Sequence, residues 1–135
     1  MTPAALVVLI LAIAVGGAAG AVARLWVSNR ITRWRGGDFP WGTLLVNLSG
    51  AFVIGVVAGW LGVPEPGALG DLLWAGAVVG LLGSYTTVSS FALQTLQLGG
   101  SGQRSAAVGN VLGSVLGCLL CVVMGLAFGV GLGDN

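Results

Sequence analysis

The chain has 135 residues, of which 56% are hydrophobic and only 7% are charged, and its net charge at pH 7 is +1. A soluble domain usually carries about 25% charged residues, so this composition is typical of a protein embedded in a bilayer. The chain has no lysine, no histidine and no dense basic cluster, which excludes a nucleic-acid-binding protein.

Four segments are long and apolar enough to cross a bilayer, which takes about 20 residues of helix. They run over residues 3–27, 41–63, 69–98 and 105–132, and turn formers lie between them. The first segment lacks a basic stretch before its apolar run, so we interpret it as a retained helix and not a signal peptide. The sequence therefore predicts an all-α membrane protein, with one domain over residues 1–135 and four transmembrane helices.

The arginines are distributed unevenly between the two sides of the membrane. With four spans, the loops after helices one and three share one side, and they hold Arg30, Arg33, Arg35 and Arg104. The opposite side holds no arginine or lysine. By the positive-inside rule, both termini should face away from the cytoplasm.

Glycine accounts for 25 residues and recurs at intervals of four. Such spacing places small residues on one helix face, where a second helix can approach closely. The spaced residues are Gly16/Gly20, Gly55/Gly59, Gly76/Gly80 and, in helix four, Gly109, Gly113, Gly117, Cys121, Gly125 and Gly129. We expect these faces to pack against helices, and we expect at least one further chain to associate.

Polar residues at membrane depth form two aligned lines. Thr43 and Asn47 lie four apart on helix two, and Asn110 and Ser114 lie four apart on helix four, where Cys118 continues the line. Each alone is explained equally well by a helix–helix hydrogen bond. Two lines together favour a hydrated or ion-conducting track.

Cys118 and Cys121 form a CxxC motif within helix four. A redox pair needs an accessible, electropositive setting, whereas these thiols lie among apolar residues. We interpret both as packing residues.

Helix three contains a stretch, Gly83 to Thr87, that is poor helix material because it combines glycine with Ser and Thr. This predicts a break at the bilayer midplane that frees backbone carbonyls. Non-helical backbone at that depth is tolerated only where protein covers it or it lines a cavity, and it commonly builds ion sites. The alternative is a kinked helix in which Thr hydroxyls bond to their own carbonyls.

The acidic residues Asp38, Glu65, Asp71 and Asp134 are all predicted in loops or at the terminus. A proton-coupled exporter normally needs a carboxylate or histidine within a span, so a drug or cation transporter is disfavoured. Arg24 is the one charge in the interior of a predicted span. It either snorkels to the interface or forms a positive vestibule that attracts anions.

Three stretches together resemble the Fluc (CrcB) family of fluoride channels: GGAAGAVARLWV (16–27), FPWGTLLVNLSGAFVIG (39–55) and GLLGSYTTVSSF (80–91). The resemblance covers nearly the whole chain and implies a channel, not an enzyme. It implies passive fluoride efflux across the inner (plasma) membrane, which relieves fluoride toxicity. It also implies an antiparallel, dual-topology dimer whose helix-three breaks cross at the centre.

The resemblance also implies site residues. A structural Na⁺ at the dimer centre would be held by backbone carbonyls at the positions of Gly83 and Thr86, and Arg24 matches the family's helix-one arginine at the vestibule. The positions that match the family's fluoride pathway are Asn47, Thr87, Val88, Ser90, Phe91, Asn110 and Ser114.

The chain departs from the family pattern at positions that include Val88, Ser84 and Gln94. Val88 replaces the first phenylalanine of the usual TTFSTF, Ser84 replaces a glycine, and Gln94 stands where glutamate is common. The arginine bias is also unexpected for a homodimer inserted in both directions. We therefore hypothesise that the chain is one half of a heterodimeric channel, or a subunit that does not conduct without a partner.

Overall fold

The computed structural model describes residues 2–62 and 68–133 of the chain, and the secondary structure within them is entirely helical. Four helical segments in this part of the chain are long and apolar enough to cross a membrane: Pro3–Arg35, Trp41–Leu61, Gly70–Gly100 and Arg104–Gly133. The predicted all-α class and the four membrane-spanning segments are confirmed.

The first, second and fourth segments are single helices, and the third is composite. The elements in chain order are α1 (Pro3–Arg35), α2 (Trp41–Leu61), α3 (Ala68–Leu73), a π-helical run (Trp74–Leu82), α4 (Gly83–Tyr85), α5 (Val88–Gly100) and α6 (Arg104–Gly133). In the π-helical run each N–H bonds to the carbonyl five residues earlier, which is a wider and rarer geometry than that of an α-helix.

Helix α1 continues past its predicted end at Val27 to Arg35. No glycine or proline interrupts this stretch, and the last turn carries Arg33 and Arg35, whose positive charges complement the negative end of the helix. The helix ends where Gly36 and Gly37 adopt φ of 63° and 77°, which favours glycine. The shorter predicted helix was wrong because hydropathy marks the apolar part of a helix and not its end.

The second loop also differs from the prediction. Asp71, predicted in the loop, lies in the first turn of α3. There its negative charge interacts favourably with the partial positive charge at the N-terminal end of the helix. Helix α2 ends at Leu61. The predicted end at Val63, and the predicted positions of Glu65 and Asp134, lie outside the described residues.

Helices α2 and α6 form the most extensive contact between elements, and glycine makes it possible. A Cβ at position 55 would collide with the Val122 carbonyl oxygen, and a Cβ at position 125 would collide with the Phe52 carbonyl oxygen. Each backbone therefore lies directly against the other. The glycines in this contact are Gly55, Gly59, Gly125 and Gly129.

Helix α1 packs in the same way against the π-helical run. A Cβ at Gly16 would collide with the Gly76 carbonyl oxygen, and a Cβ at Gly80 would lie 2.7 Å from the Ile13 carbonyl oxygen. The predicted close approach along these glycine faces is confirmed, and the partner helix belongs to the same chain in each case. At Gly109, where the helix-four stripe begins, an added Cβ would have no described neighbour within 4 Å.

The α2–α6 contact predicts a difference between two glycines of one helix. Gly125→Ala should lower the midpoint of thermal unfolding in detergent, since overpacking costs about 1–3 kcal/mol and the obstacle is backbone. Gly109→Ala, the matched control, should be neutral or raise it slightly, since Ala favours a helix by up to about 1 kcal/mol. Size-exclusion chromatography after heating measures both, and equal effects would contradict the contact.

Candidate functional site

Helical geometry stops for two residues within the third segment. Thr86 has φ −77° and ψ 160°, and Thr87 has φ −153° and ψ 120°, so both are extended. Helix α5 then begins at Val88, and the Thr87 Oγ1 caps it by accepting the N–H of Ser90 at 3.2 Å. The Thr86 N–H still donates to the Leu82 carbonyl at 3.1 Å, so the Thr87 N–H is the group that needs an acceptor from outside the segment.

Asn47 of α2 supplies both partners for Thr87. The Thr87 N–H donates to Asn47 Oδ1 at 2.7 Å, and Asn47 Nδ2 donates to the Thr87 carbonyl oxygen at 2.9 Å. An amide side chain is suited to this task because it presents an acceptor and a donor side by side. Asn47 keeps one N–H and one lone pair beyond these two bonds, so half of its hydrogen-bonding capacity is used by the backbone of the third segment.

Gly50 provides the space for this arrangement. It lies three residues after Asn47 on α2, and a Cβ there would collide with Cγ2 of Thr86 and lie 3.3 Å from Cδ1 of Tyr85. The hydroxyl of Tyr85 in turn lies 3.0 Å from Ser49 Oγ, within hydrogen-bonding distance. Helix α2 therefore both bonds to the extended residues and leaves room for them.

Backbone carbonyl groups lose their helical donors here, those of Gly83 and Thr86 among them. In an uninterrupted α-helix the Gly83 carbonyl would accept the N–H of Thr87, and the Thr86 carbonyl would accept the N–H of Ser90. These N–H groups bond instead to Asn47 Oδ1 and to Thr87 Oγ1. The carbonyl oxygens of Gly83 and Thr86 are thus among the backbone acceptors that lose their α-helical donors at the two extended residues.

Arg24, half-buried on α1, contacts one of these carbonyls. Its Nη1 donates to the Thr86 carbonyl oxygen at 3.5 Å, which is the long limit for a hydrogen bond. Arg24 also lines a cavity of about 160 Å³. The polar residues around that cavity are Arg24, Ser28, Thr43, Thr87, Ser90 and Gln94.

A larger cavity of about 440 Å³ lies between α2, α5 and α6. It brings together five of the seven residues predicted along the ion pathway, and Thr87 lines both cavities. The five are Asn47, Thr87, Val88, Phe91 and Ser114, and Cys118 lies beside them. Thr87 therefore forms part of the wall between two cavities, and Thr86 lines the larger of them.

The larger cavity offers few free hydrogen-bond donors. The side chain of Ser114 is only 7% exposed, and its hydroxyl has no hydrogen-bond partner among the described residues. The Val88 side chain is 79% exposed and contributes methyl groups only. The free donors are thus the Ser114 hydroxyl and the remaining N–H of Asn47.

The other two predicted pathway residues lie elsewhere. Ser90 lines the smaller cavity with Arg24. Asn110 is 1% exposed, and its Nδ2 donates to Thr95 Oγ1 at 2.8 Å, while Thr95 donates to the Phe91 carbonyl at 2.7 Å. Asn110 thereby fastens α6 to α5 through Thr95, a residue that sequence analysis did not select.

Gln94 is the second residue that the pathway prediction left out. Its Oε1 is buried without a partner among the described residues, and it lines both the Arg24 cavity and a cavity of about 520 Å³ near Asp38 and Gln103. The sequence carries no distinctive signal for it, because a single polar residue in an apolar helix is equally typical of a helix–helix contact.

Comparison with known sequences gives a consistent result. The family described as "CrcB-like protein, Camphor Resistance (CrcB)" matches residues 11–126. The chain is 46% identical over 125 residues to "Fluoride-specific ion channel FluC 2" of Rhodopseudomonas palustris, covering 87% of this chain and 90% of that protein. It is 44% identical over 124 residues to the protein of the same name from Bradyrhizobium diazoefficiens, covering 92% and 90% respectively.

A third relative, "Fluoride-specific ion channel FluC" of Magnetococcus marinus, is 48% identical over 121 residues, covering 87% of this chain and 94% of that protein. The family match extends from within the first membrane-spanning segment to within the fourth. It therefore includes α2, both extended threonines and the cavity beside them. The chain belongs to the CrcB family.

Proposed function

We propose that this protein is a fluoride-selective channel of the inner membrane through which fluoride leaves the cell passively, which relieves fluoride toxicity. The observation that carries the proposal is the 440 Å³ cavity lined by Asn47, Phe91 and Ser114 beside the two extended threonines. The names of the three relatives above support the choice of ion.

The chemistry of the cavity suits a small anion. Fluoride is strongly hydrated, so it needs replacement donors when it loses water. The free N–H of Asn47, the unpartnered hydroxyl of Ser114 and the positive ring edge of Phe91 are such donors. No charged side chain lines this cavity among the described residues, and binding that is too firm would prevent release.

Arg24 would act before this point on the pathway. It lies in the smaller cavity on the other side of Thr87, where its positive charge raises the local concentration of anions. The side chains of Ser90 and Gln94 line the same cavity and would hydrate the entering ion.

We further propose that the Gly83 and Thr86 carbonyls hold a structural Na⁺. Hard cations prefer oxygen ligands, and both carbonyls have lost their helical donors. The contact of Arg24 with Thr86 is long and leaves that oxygen a lone pair. When bound, the ion supplies a positive charge that both carbonyls face.

Two carbonyls from one chain leave such a cation incompletely coordinated. A second copy, inserted antiparallel so that the two breaks cross at the bilayer midplane, would supply the matching pair. In this arrangement dimerisation and cation binding are one event.

Val88 and the arginine bias favour one alternative, a heterodimer or a partner-dependent subunit. The Val88 side chain is 79% exposed and places methyl groups where the family pattern has an aromatic ring. A drug or cation transporter is less well supported, since the one acidic residue described within a helix, Asp71, lies in its first turn.

The function is tested by fluoride efflux from liposomes that contain this chain alone, with chloride efflux as the control. We expect fluoride to leave and chloride to be retained. Proton flux driven by a drug gradient would instead identify a transporter. Flux that appears only when a second chain is added would identify the partner-dependent subunit.

The two Asn47 bonds predict the effect of an isosteric change. Asn47→Asp should lower fluoride flux about tenfold or more, because a carboxylate oxygen would face the Thr87 carbonyl and about 1–3 kcal/mol of hydrogen bonding would be lost. Asn29→Asp, the same change at an exposed position of α1, should leave flux unchanged. Unchanged fluoride flux in the Asn47→Asp variant would show that Asn47 neither supports the extended residues during conduction nor lines the fluoride pathway.

The cation proposal predicts retained sodium, which elemental analysis can measure independently of flux. After exhaustive dialysis into N-methylglucamine chloride, the folded protein should keep about one sodium ion for every two chains and release it on heat unfolding. Asn47→Ala, which lacks both bonds to Thr87, should keep less. Sodium at the level of the dialysis buffer in the unmutated protein would refute the site.

A further inference from the structure

We infer that the exposed face of α1 near its C-terminal end, formed by Val22, Trp26, Arg30 and Arg33, binds the headgroup of an anionic phospholipid. This inference concerns the outer surface of the helix and does not depend on the proposed channel function.

Helix α1 is longer than a bilayer's hydrocarbon core. Its 33 residues extend for about 50 Å at about 1.5 Å per residue, against a core of about 30 Å. The last turns of the helix therefore lie among headgroups or in water. This places Arg30 and Arg33 at the level of lipid phosphates.

The four residues lie on one face and change in character along it. Val22, Trp26, Arg30 and Arg33 are separated by four, four and three positions, which is helical spacing. Val22 is 67% exposed and Trp26 is 68% exposed, and both arginines are exposed as well. The order along the helix is aliphatic, then aromatic, then cationic, which matches the acyl chain, the interface and the phosphate of one lipid.

The two guanidinium groups are available to a phosphate. Arg30 makes no ion pair with any carboxylate in the described part of the chain. Arg33 uses its Nε to donate to the Asn29 carbonyl at 3.3 Å, which leaves four of its five N–H groups free. Arginine forms paired hydrogen bonds with phosphate oxygens, so two such residues one turn apart can hold one headgroup.

Neighbouring charges favour an anion over a zwitterion. Asp38, the one acidic residue at this end, accepts a hydrogen bond from Gln103 Nε2 at 3.2 Å. The positive charges at the same end are those of Arg30, Arg33, Arg35 and Arg104. Four positive charges and one negative charge give this end a net charge of +3. Arg35 lies in the last turn, where it offsets the partial negative charge of the helix end.

A lipid fits this face better than a free phosphate does. Val22 and Trp26 continue the face below the arginines, and together they would leave a large apolar area unused if the ligand were a soluble anion. An anionic phospholipid such as phosphatidylglycerol occupies both parts. A lipid headgroup and a free phosphate present the same phosphate chemistry to the arginines, so the experiment must distinguish these two ligands.

Native mass spectrometry of the detergent-solubilised protein tests the inference, using phosphatidylglycerol and phosphatidylcholine with identical acyl chains. The unmutated protein should retain the anionic lipid more strongly. Arg30→Gln and Arg33→Gln should each weaken its binding about fivefold, the value expected for one arginine at an anionic surface. Arg104→Gln, the same charge change at the same end but on α6, should have less than a twofold effect.

Three outcomes would overturn the inference. Equal retention of the two lipids by the unmutated protein would exclude headgroup selectivity, and this comparison needs no variant. An Arg104→Gln effect as large as that of Arg30→Gln would show only a general charge effect. Displacement of the lipid by an equal concentration of glycerol phosphate would show that the arginines bind a free anion.

Discussion

The N–H of Thr87 has no acceptor in its own helix, and the side chain of Asn47 provides one while it also donates to the Thr87 carbonyl. These two bonds are 2.7 and 2.9 Å long. In an apolar environment each unpaired backbone group would cost free energy comparable to a lost hydrogen bond, so the extended geometry depends on this amide. The release of the Gly83 and Thr86 carbonyls follows from it. So does the position of Thr87 between two cavities.

The rest of the fold holds α2 and the third segment where this contact is possible. Two glycine-mediated helix pairs do so, α1 with the π-helical run and α2 with α6. Because backbone meets backbone in both pairs, neither helix can move closer, and sliding would bring a side chain against a carbonyl. Van der Waals contact of this kind is the main source of helix association where lipid removes the hydrophobic drive. The candidate site lies where the two pairs meet.

Local features were predictable from the sequence, and contacts across the chain were not. The four spans and the glycine faces follow from residue spacing within single helices. The extended residues Thr86 and Thr87 fall within a stretch selected for its poor helix propensity. The partner of Thr87 is 40 residues away in the chain, so only the tertiary arrangement reveals it. The sequence therefore left Asn47 open between a helix–helix hydrogen bond and the ion pathway, and it could not identify the Thr87 backbone as the partner.

Two further features were not predictable, each for its own physical reason. The π-helical run consists of apolar residues whose pattern does not distinguish a π-helix from an α-helix, and the run packs against α1. Gln94 is a single polar residue in an apolar helix, and only the two cavities on which it borders distinguish it from a residue at a helix–helix contact.

The contact between Gly50 and Thr86 has a consequence for how the sequence can change over time. A Cβ at position 50 would collide with the Thr86 methyl group. The Asn47 bonds meanwhile hold the backbone of the next residue, Thr87, in place. A side chain at position 50 therefore requires the Thr86 methyl group to move or to be absent. The residues at positions 50 and 86 are therefore expected to change together. The neighbouring contact between Ser49 and Tyr85 likewise joins residues 36 positions apart in the chain. A larger residue at position 50 of α2 is therefore expected to occur with a smaller or displaced side chain at position 86 of the third segment.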